Sequence, residues 1–457
     1  MNIWANLIEW VRKLFGAAPL LSGADGKRFG EYAAAYEDTG AVNFTAMISN
    51  KLAAFVVSES SAGMVFPSGE LSQRDAFLNG CLERLWRRMR SITARALGTG
   101  GVVLVPYVSG GTVSFDAVPQ SRFFITQTRG DRITAATILA DSVVLANKRF
   151  YRWTDYYLGE DGVHVIRNRA TTDSGLVSLQ AVPGWAEIPE EFRIGNVDRL
   201  LLGFFRSPTD SREVRDLYGV PITYGCDCLL NEIAETLEQV RQEYALKRPF
   251  VGLDERLLTK GRTLPNSGLF TFLTGSNNGD LWELFDPAIR DSAYYNRLDQ
   301  LFGLLEKQVG VSRGILTKPE SRGATATEIK ASLYDTYSLV EAVRDAAERA
   351  VEDFVYACEV LGNAYGLIPA GSARDGVVNI EWSYALIESS AETFSQLIQG
   401  EASGAIETAE VRQYLMTDET LPEARARVAE IRAGKRVLAA ELLNRTLIED
   451  SQGLNDE

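Results

Sequence analysis

The sequence predicts an α+β chain of several units, on three observations. The segments near 44–58 and 72–96 carry helical spacing, and between about 102 and 167 the pattern changes to short β-branched and aromatic runs divided by turn residues. From about Pro221 the chain turns helical again, with one compact mixed insert at 250–290. At roughly 100–200 residues per domain, 457 residues allow about three structural units.

Ile3, Leu7, Trp10 or Val11 and Leu14 give the first segment an amphipathic helical pattern. Glu9 interrupts its apolar run and no charged region precedes it, so a secretory signal is not expected. Its polar face is not strongly basic, as an interfacial helix would require, which favours packing on the body or a neighbouring subunit over a membrane surface. Two helices follow, at about Phe44–Ser58 and Ser72–Ala96. Strands are expected at Val102–Val108, Thr112–Ala117, Phe123–Gln127, Ile133–Ala140, Arg149–Tyr157 and Val163–Arg167, one antiparallel meander joined by turns such as Ser109-Gly110-Gly111 and Arg129-Gly130-Asp131.

Pro221 suits a first helical position. Cys226, Leu230, Ile233, Leu237, Val240 and Tyr244 then recur at spacings of four and three, predicting a helix of about 26 residues, roughly 39 Å long. The insert reads as strands at Phe250-Val251, Leu269–Leu273 and Leu281–Phe285, with a turn at Gly275–Gly279. A second helix is expected at Ser292–Val309, then a polar, flexible loop from Gly310 to Gly323. Thr325-Ala326-Thr327-Glu328 has the form of a capping box ahead of the longest helix, and Gly362 is a plausible end. A strand at Val377–Trp382 leads to helices at Ala391–Gln399, Thr408–Leu415, Leu421–Arg432 and Arg436–Ile448 and an acidic tail.

Composition narrows the chemistry. Acids outnumber bases 61 to 47, a net charge of −14, which argues against a protein that grips nucleic acid through many Lys and Arg. His164 is the only histidine, so no mechanism needing two imidazoles applies, and any Ser-His-Asp or Cys-His triad would rest on it alone. Flanked by Val163 and Val165, it reads as a sheet-surface residue. Four scattered cysteines make no disulfide framework and suggest a reducing compartment. Cys226 and Cys228, two apart on a helix, point about 200° from each other and read as packing residues; no metal site or cofactor is expected. Gly98-Thr99-Gly100-Gly101 lies between a helix and a strand, the wrong order for a phosphate loop, and reads as a turn. No run reaches the roughly 20 apolar residues of a membrane span. No carboxylate pair stands out, so an enzyme is not the expectation, although a carboxylate hydrolase stays open. In the loop after residue 310, Arg313, Lys318 and Arg322 stand out in an acidic chain.

The order helix, mixed insert, helix, polar loop, long helix resembles the portal protein, or head-tail connector, of tailed double-stranded DNA bacteriophages, siphophage type. Gly323-Ala324-Thr325-Ala326-Thr327-Glu328-Ile329 is similar to the "(S/T)AT-E" segment of siphophage portals. Val377-Val378-Asn379-Ile380-Glu381-Trp382 followed by Glu388-Ser389-Ser390-Ala391-Glu392 resembles their strand before the crown, and Tyr218-Gly219-Val220-Pro221 with Lys247-Arg248-Pro249-Phe250-Val251 resembles the flanks of their first stem helix. The likeness spans about residues 30–430, and order and spacing carry it.

That resemblance implies the portal fold: a mixed α/β wing, a two-helix stem, a small α/β clip, a long wing helix and an α-helical crown. Its boundaries would be an N-terminal arm at 1–40, wing with meander at 41–220, stem helix at 221–248, clip at 249–290, second stem helix at 291–309, tunnel-loop region at 310–325, long wing helix and strand at 326–384, and crown with tail at 385–457. It also implies a homo-oligomeric ring, usually of twelve, at one capsid vertex of the virion, assembled in the host cytoplasm, through which double-stranded DNA is packaged and later ejected. Arg313, Lys318 and Arg322 would contact DNA in the tunnel. Phe270, Phe272, Trp282 and Phe285 of the clip would dock the large terminase and then head-completion or adaptor proteins, while capsid and scaffold proteins are further partners and no membrane is involved. Another virion component without a channel, such as a minor capsid or tail protein, is the alternative.

Overall fold

The computed structural model describes residues 23–39, 42–65, 72–130, 132–211, 217–246, 250–254, 270–273, 282–285, 290–317, 326–369, 376–383, 397–416 and 420–431. It is a mixed α/β protein that divides into two compact units, Met1–Ser383 and Tyr384–Glu457. The helices expected at 3–15 and 436–448 and the turn at 275–279 lie outside the described residues.

The first unit opens with α1 (Gly23–Glu37) and α2 (Phe44–Val57). Asn43 governs the corner between them. Its side-chain oxygen accepts the Ala46 N–H and caps α2, while its Nδ2 donates to the carbonyls of Ala35, Tyr36 and Asp38, which satisfies otherwise unpaired groups at both helix ends. A short strand, β1 (Ser61–Val65), leads to α3 (Gln73–Thr99), capped by Ser72 and closed by Gly100 in the left-handed region at φ 96°. Gly98-Thr99-Gly100-Gly101 is thus a helix-to-strand turn. A Cβ on Gly98 would stand 2.1 Å from the Tyr36 ring, so the glycine is also what lets α1 lie against α3.

The β region forms two sheets rather than one meander. In the first, β2 (Gly101–Ser109) and β3 (Thr112–Pro119) make a hairpin, and a strand not expected from sequence, β10 (Gly203–Arg206), adds to the outer edge of β2. The second runs β4 (Phe123–Arg129), β5 (Arg132–Leu145), β6 (Lys148–Leu158), β7 (His164–Thr172) and β8 (Gly175–Val177), with β9 (Glu191–Ile194) also on β7. The split falls at Pro119–Arg122, where a proline and a 3₁₀ turn interrupt the pairing; β4 then pairs forward with β5 instead of back with β3. The strand expected to end at Ala140 continues to Leu145 because a register shift between Leu139 and Asp141 lets pairing with β6 resume. Phe123, Phe124, Trp153, Val103 and Tyr218 meet in one core, with the Tyr218 hydroxyl accepting the Ile125 N–H at 2.6 Å.

The long helix is α6 (Ala326–Ala364), reached after α4 (Asp227–Leu246), the three-stranded insert of β11 (Phe250–Asp254), β12 (Phe270–Leu273) and β13 (Trp282–Phe285), and α5 (Asp291–Val309). α6 seats on the first sheet at Gly203, whose added Cβ would lie 2.2 Å from the Ala350 carbonyl oxygen. Such an approach is open only to glycine. Phe115 meets Phe354 edge-on at 5.4 Å, and Arg74 forms a buried bidentate pair with Glu359 at 3.0 and 2.7 Å. Gly362 is inside the helix, not its end. A Cβ there would meet Phe77 and Ile368 at 2.8 Å, and the residue that leaves helical geometry is Gly366, at φ 67°. The side chains of the expected capping box lie outside those described.

β14 (Val377–Glu381) pairs antiparallel with β1. The buried Arg344 of α6 donates to the carbonyls of Val56 and Ser383 and sits 5.2 Å from the Trp382 ring, tying α2, α6 and the end of β14 together. In the second unit, α7 (Thr408–Leu415) starts with a reciprocal Glu407–Glu410 capping box, and residues 397–402 and 421–431 are helical. Arg425 pairs with Glu407 at 2.8 Å.

Candidate functional site

Among the described residues, the hairpin α4–α5 packs chiefly on itself rather than on either sheet. Its first helix begins six residues later than Pro221 suggests, because Gly225 sits at φ 76°, which no right-handed helix admits. Residues 221–226 instead make tight turns, and Leu230 bonds back to the Cys226 carbonyl to start the helix. The pairing is antiparallel along its whole length. Arg290 holds Glu243 at one end, Arg297 reaches Glu232 at 2.6 Å in the middle, and Gly225 lies near Gln308 at the other end. At 1.5 Å per residue each helix is about 30 Å long.

Ile233, Leu298, Leu301 and Leu305 are buried in the seam, and the base is fixed to the body by Phe302 against Phe44 at 5.8 Å and by Thr45 bonded to Thr223 at 3.0 Å. The exposed side of α4 is acidic, with Asp227, Glu235 and Glu238 on the surface beside Arg241. Hydrogen bonds from Arg290 hold the Glu243 carboxyl well below the usual carboxylate range, at about 2. Buried Cys226 has its thiol pushed up to about 11 by desolvation, whereas Cys228 is exposed.

The insert carried by the hairpin pairs β11 parallel to β12 and antiparallel to β13. Of the aromatic residues expected to meet partners, Phe270 and Phe272 stand on β12, Trp282 and Phe285 on β13, and Leu253 of β11 is in register with both Phe272 and Trp282. Their side chains lie outside those described.

The loop behind the hairpin is not a flexible tether in its first half. Gly310 (φ 82°) closes α5, and Gly310 and Val311 both bond to the Glu306 carbonyl. The Glu306 side chain, fully buried, then gathers the next turn: one oxygen accepts N–H groups of Gly314 (3.1 Å), Leu316 (2.6 Å) and Thr317 (3.0 Å), and the other accepts the Thr317 hydroxyl at 3.0 Å. Ser312 and Thr336 exchange side-chain-to-backbone bonds, and Lys51 donates to the Ile315 carbonyl. Of the three basic residues expected to act together, Arg313 is half exposed and pairs with Asp299 at 3.5 Å; Lys318 and Arg322 lie outside the described residues. Glu306 was missed in the sequence because an acid beside Leu305 at the end of a helix reads as a solvated residue. Only the folded turn supplies its donors.

His164 is a second correction. It is buried, not on the sheet surface, because β9 and residues 195–202 fold across β7, and Leu201 donates to its Nε2 at 3.4 Å. Desolvation lowers its pKa to about 4, so the ring is neutral, and its Nδ1 has no partner among the described residues. No triad forms around it among the described residues.

Among the described residues no helix is long and apolar enough to cross a membrane, and no group of three or more His, Cys, Asp or Glu is placed to hold a metal ion. No protein-family model and no curated protein sequence matches the chain. Solved structures do. One is described as the neck of a native GTA particle computed with C12 symmetry, at 12% identity and TM-score 0.42, covering 88% of this chain and 96% of that one. Another, the neck of an empty GTA particle computed with C6 symmetry, has 11% identity and TM-score 0.45 over 90% and 99% of the two chains. A likeness at this level leaves the functional argument to the chain's own geometry.

Proposed function

We propose that the chain is the subunit of a ring-shaped portal at one capsid vertex of a phage-like particle, a non-enzymatic conduit through which double-stranded DNA is packaged and later released and to which the tail machinery attaches. The observation that carries this reading is the α4–α5 hairpin. It has its own narrow seam, is anchored to the body at its base among the described residues, carries a small sheet at its tip, and is followed by a pinned loop and then a long helix packed on the body. Set side by side in copies, such hairpins would enclose a hole.

The acidic outer side of α4 fits a wall past which a duplex must move. Fixed carboxylates repel phosphates, whereas many Lys and Arg contacts would release counterions and bind the duplex tightly. In this reading Glu306 presents the loop from a fixed root, and Arg313, Lys318 and Arg322 touch the strand transiently. The insert's Phe270, Phe272, Trp282 and Phe285 belong to the surface that meets the packaging motor and then adaptor proteins.

Electron microscopy of the purified chain tests the reading directly, with annular particles about a central hole as the expected result. Particles without a hole, under every assembly condition and in the virion, would instead favour a different virion component. Replacing Arg313, Lys318 and Arg322 together with Ala is expected to impair packaging or retention; unchanged values would remove those residues from the DNA path.

A further inference from the structure

Two helices of the first unit carry opposite charge at the same spacing, and neither stripe is used by the hairpin. On α3, Arg84, Arg88 and Arg95 stand at i, i+4 and i+11, with Arg87 beside them and no lysine; Arg87 and Arg88 are exposed, Arg84 and Arg95 half-buried. On α6, Glu341, Asp345, Glu348 and Glu352 stand at i, i+4, i+7 and i+11, with Asp345 and Glu352 exposed. Each stripe spans about 17 Å of helix. The acidic stripe flanks the buried line Val340, Val343, Ala347 and Val351 that seats α6 on the body, turned from it by roughly 120° about the helix axis.

Some of these groups already have partners within the chain. Arg84 donates to the Cys81 sulfur at 3.3 Å, Arg88 lies over the Phe115 ring at 4.9 Å, and Arg87 meets Glu83 at 3.4 Å. Glu341 meets Arg344 and Glu348 accepts from Trp382. These contacts leave each stripe an excess of one sign: residues 83–95 hold five arginines and one acid, and residues 341–352 hold four acids and two arginines, the buried Arg344 and the exposed Arg349.

We infer that the arginine face of α3 and the carboxylate face of α6 are the two halves of one head-to-tail contact between copies of this chain. The inference rests on the ring reading and names the surfaces that close it. A ring built from one kind of subunit requires two different, complementary patches per chain, and a closed rotation follows from their relative angle. Guanidinium groups suit this use because their planar fork matches a carboxylate. Opposed charge also sets register and disfavours like faces meeting.

The test is a charge swap in the full chain. Arg87→Glu with Arg88→Glu, and separately Asp345→Lys with Glu352→Lys, are each expected to raise the protein concentration needed for ring assembly by at least about tenfold at low salt. All four substitutions in one chain should restore much of the loss, and circular dichroism of each variant should keep the wild-type helix content. Rings that form as readily in both two-residue variants overturn this contact while leaving the ring reading intact. Rings that persist in the α3 variant while its salt-dependent binding of duplex DNA drops assign the arginines to phosphate and likewise overturn it. Variants that fold and fail separately, with no recovery when combined, overturn the pairing of these two faces. A wild-type chain that never self-associates overturns the ring reading and this contact with it.

Discussion

Removing the Glu306 carboxylate is the sharpest perturbation of the loop root. In the folded chain it accepts three backbone N–H groups and one hydroxyl from residues 314–317, all at 2.6–3.1 Å to their closest oxygen. In Glu306→Ala the Leu316 and Thr317 amides and the Thr317 hydroxyl lose their acceptor, while the Gly314 amide keeps Thr317 Oγ1 at 3.0 Å. At about 1 kcal/mol for each of the three orphaned donors, the low end of the range for a donor that water partly reaches, the loss is about 3 kcal/mol. Glu306→Gln keeps one carbonyl oxygen but no charge, and charge-assisted bonds are roughly twice as strong as neutral ones, so about half of that loss is expected. Hydrogen exchange of the Leu316 and Thr317 amides reads the effect locally, with protection falling about a hundredfold in the alanine variant. Urea unfolding reads it globally, as a lower midpoint with an unchanged slope. Unaltered exchange at these two amides in Glu306→Ala would refute the view that this carboxylate organises the turn.

Two further outcomes follow from single positions. His164 has its pKa lowered to about 4 in the fold against an ordinary value of 6.5. The unfolded chain therefore binds the extra proton first as pH falls, and stability present above pH 6.5 is lost progressively down to about pH 4. A 2.5-unit difference corresponds to about 3 kcal/mol, and His164→Leu should flatten that part of the stability-against-pH curve; the single imidazole also gives an unambiguous titration by NMR. Gly203→Ala should cost roughly 1–3 kcal/mol, read as a lower denaturant midpoint, since its Cβ would enter the α6 backbone. Gly303→Ala, mid-helix in α5 with nothing within 4 Å of an added Cβ, should instead stabilise by about 0.5–1 kcal/mol.

The local rules carried a large part of the fold. α2 and α3 begin at Phe44 and Gln73, beside side chains that cap them, and α5 and α7 lie where apolar spacing and polar flanks placed them. Each depends on residues a few positions apart, which a sequence displays side by side. The elements missed were α1 (Gly23–Glu37), whose apolar residues form no strong helical stripe, and the strands β1, β8, β9 and β10, three to five residues each; β10 and β1 also find their partners far along the chain, on β2 and β14. So short a run has too little periodicity to announce itself.

The sequence by itself determined the acidic balance, the helical spacing and the order in which a hairpin, its insert and a long helix follow one another, because these are properties of neighbours and of counts. Only tertiary structure decided that His164 is enclosed and neutral, that Gly362 serves packing while Gly366 ends the helix, and that Glu306 is a buried hub instead of a solvated acid. In each case the deciding partner, Leu201, Ile368 or the turn at 314–317, is brought in by the folded path of the chain. Burial, and with it charge state and hydrogen-bond partner, is a property of what covers a residue, and no local pattern records that.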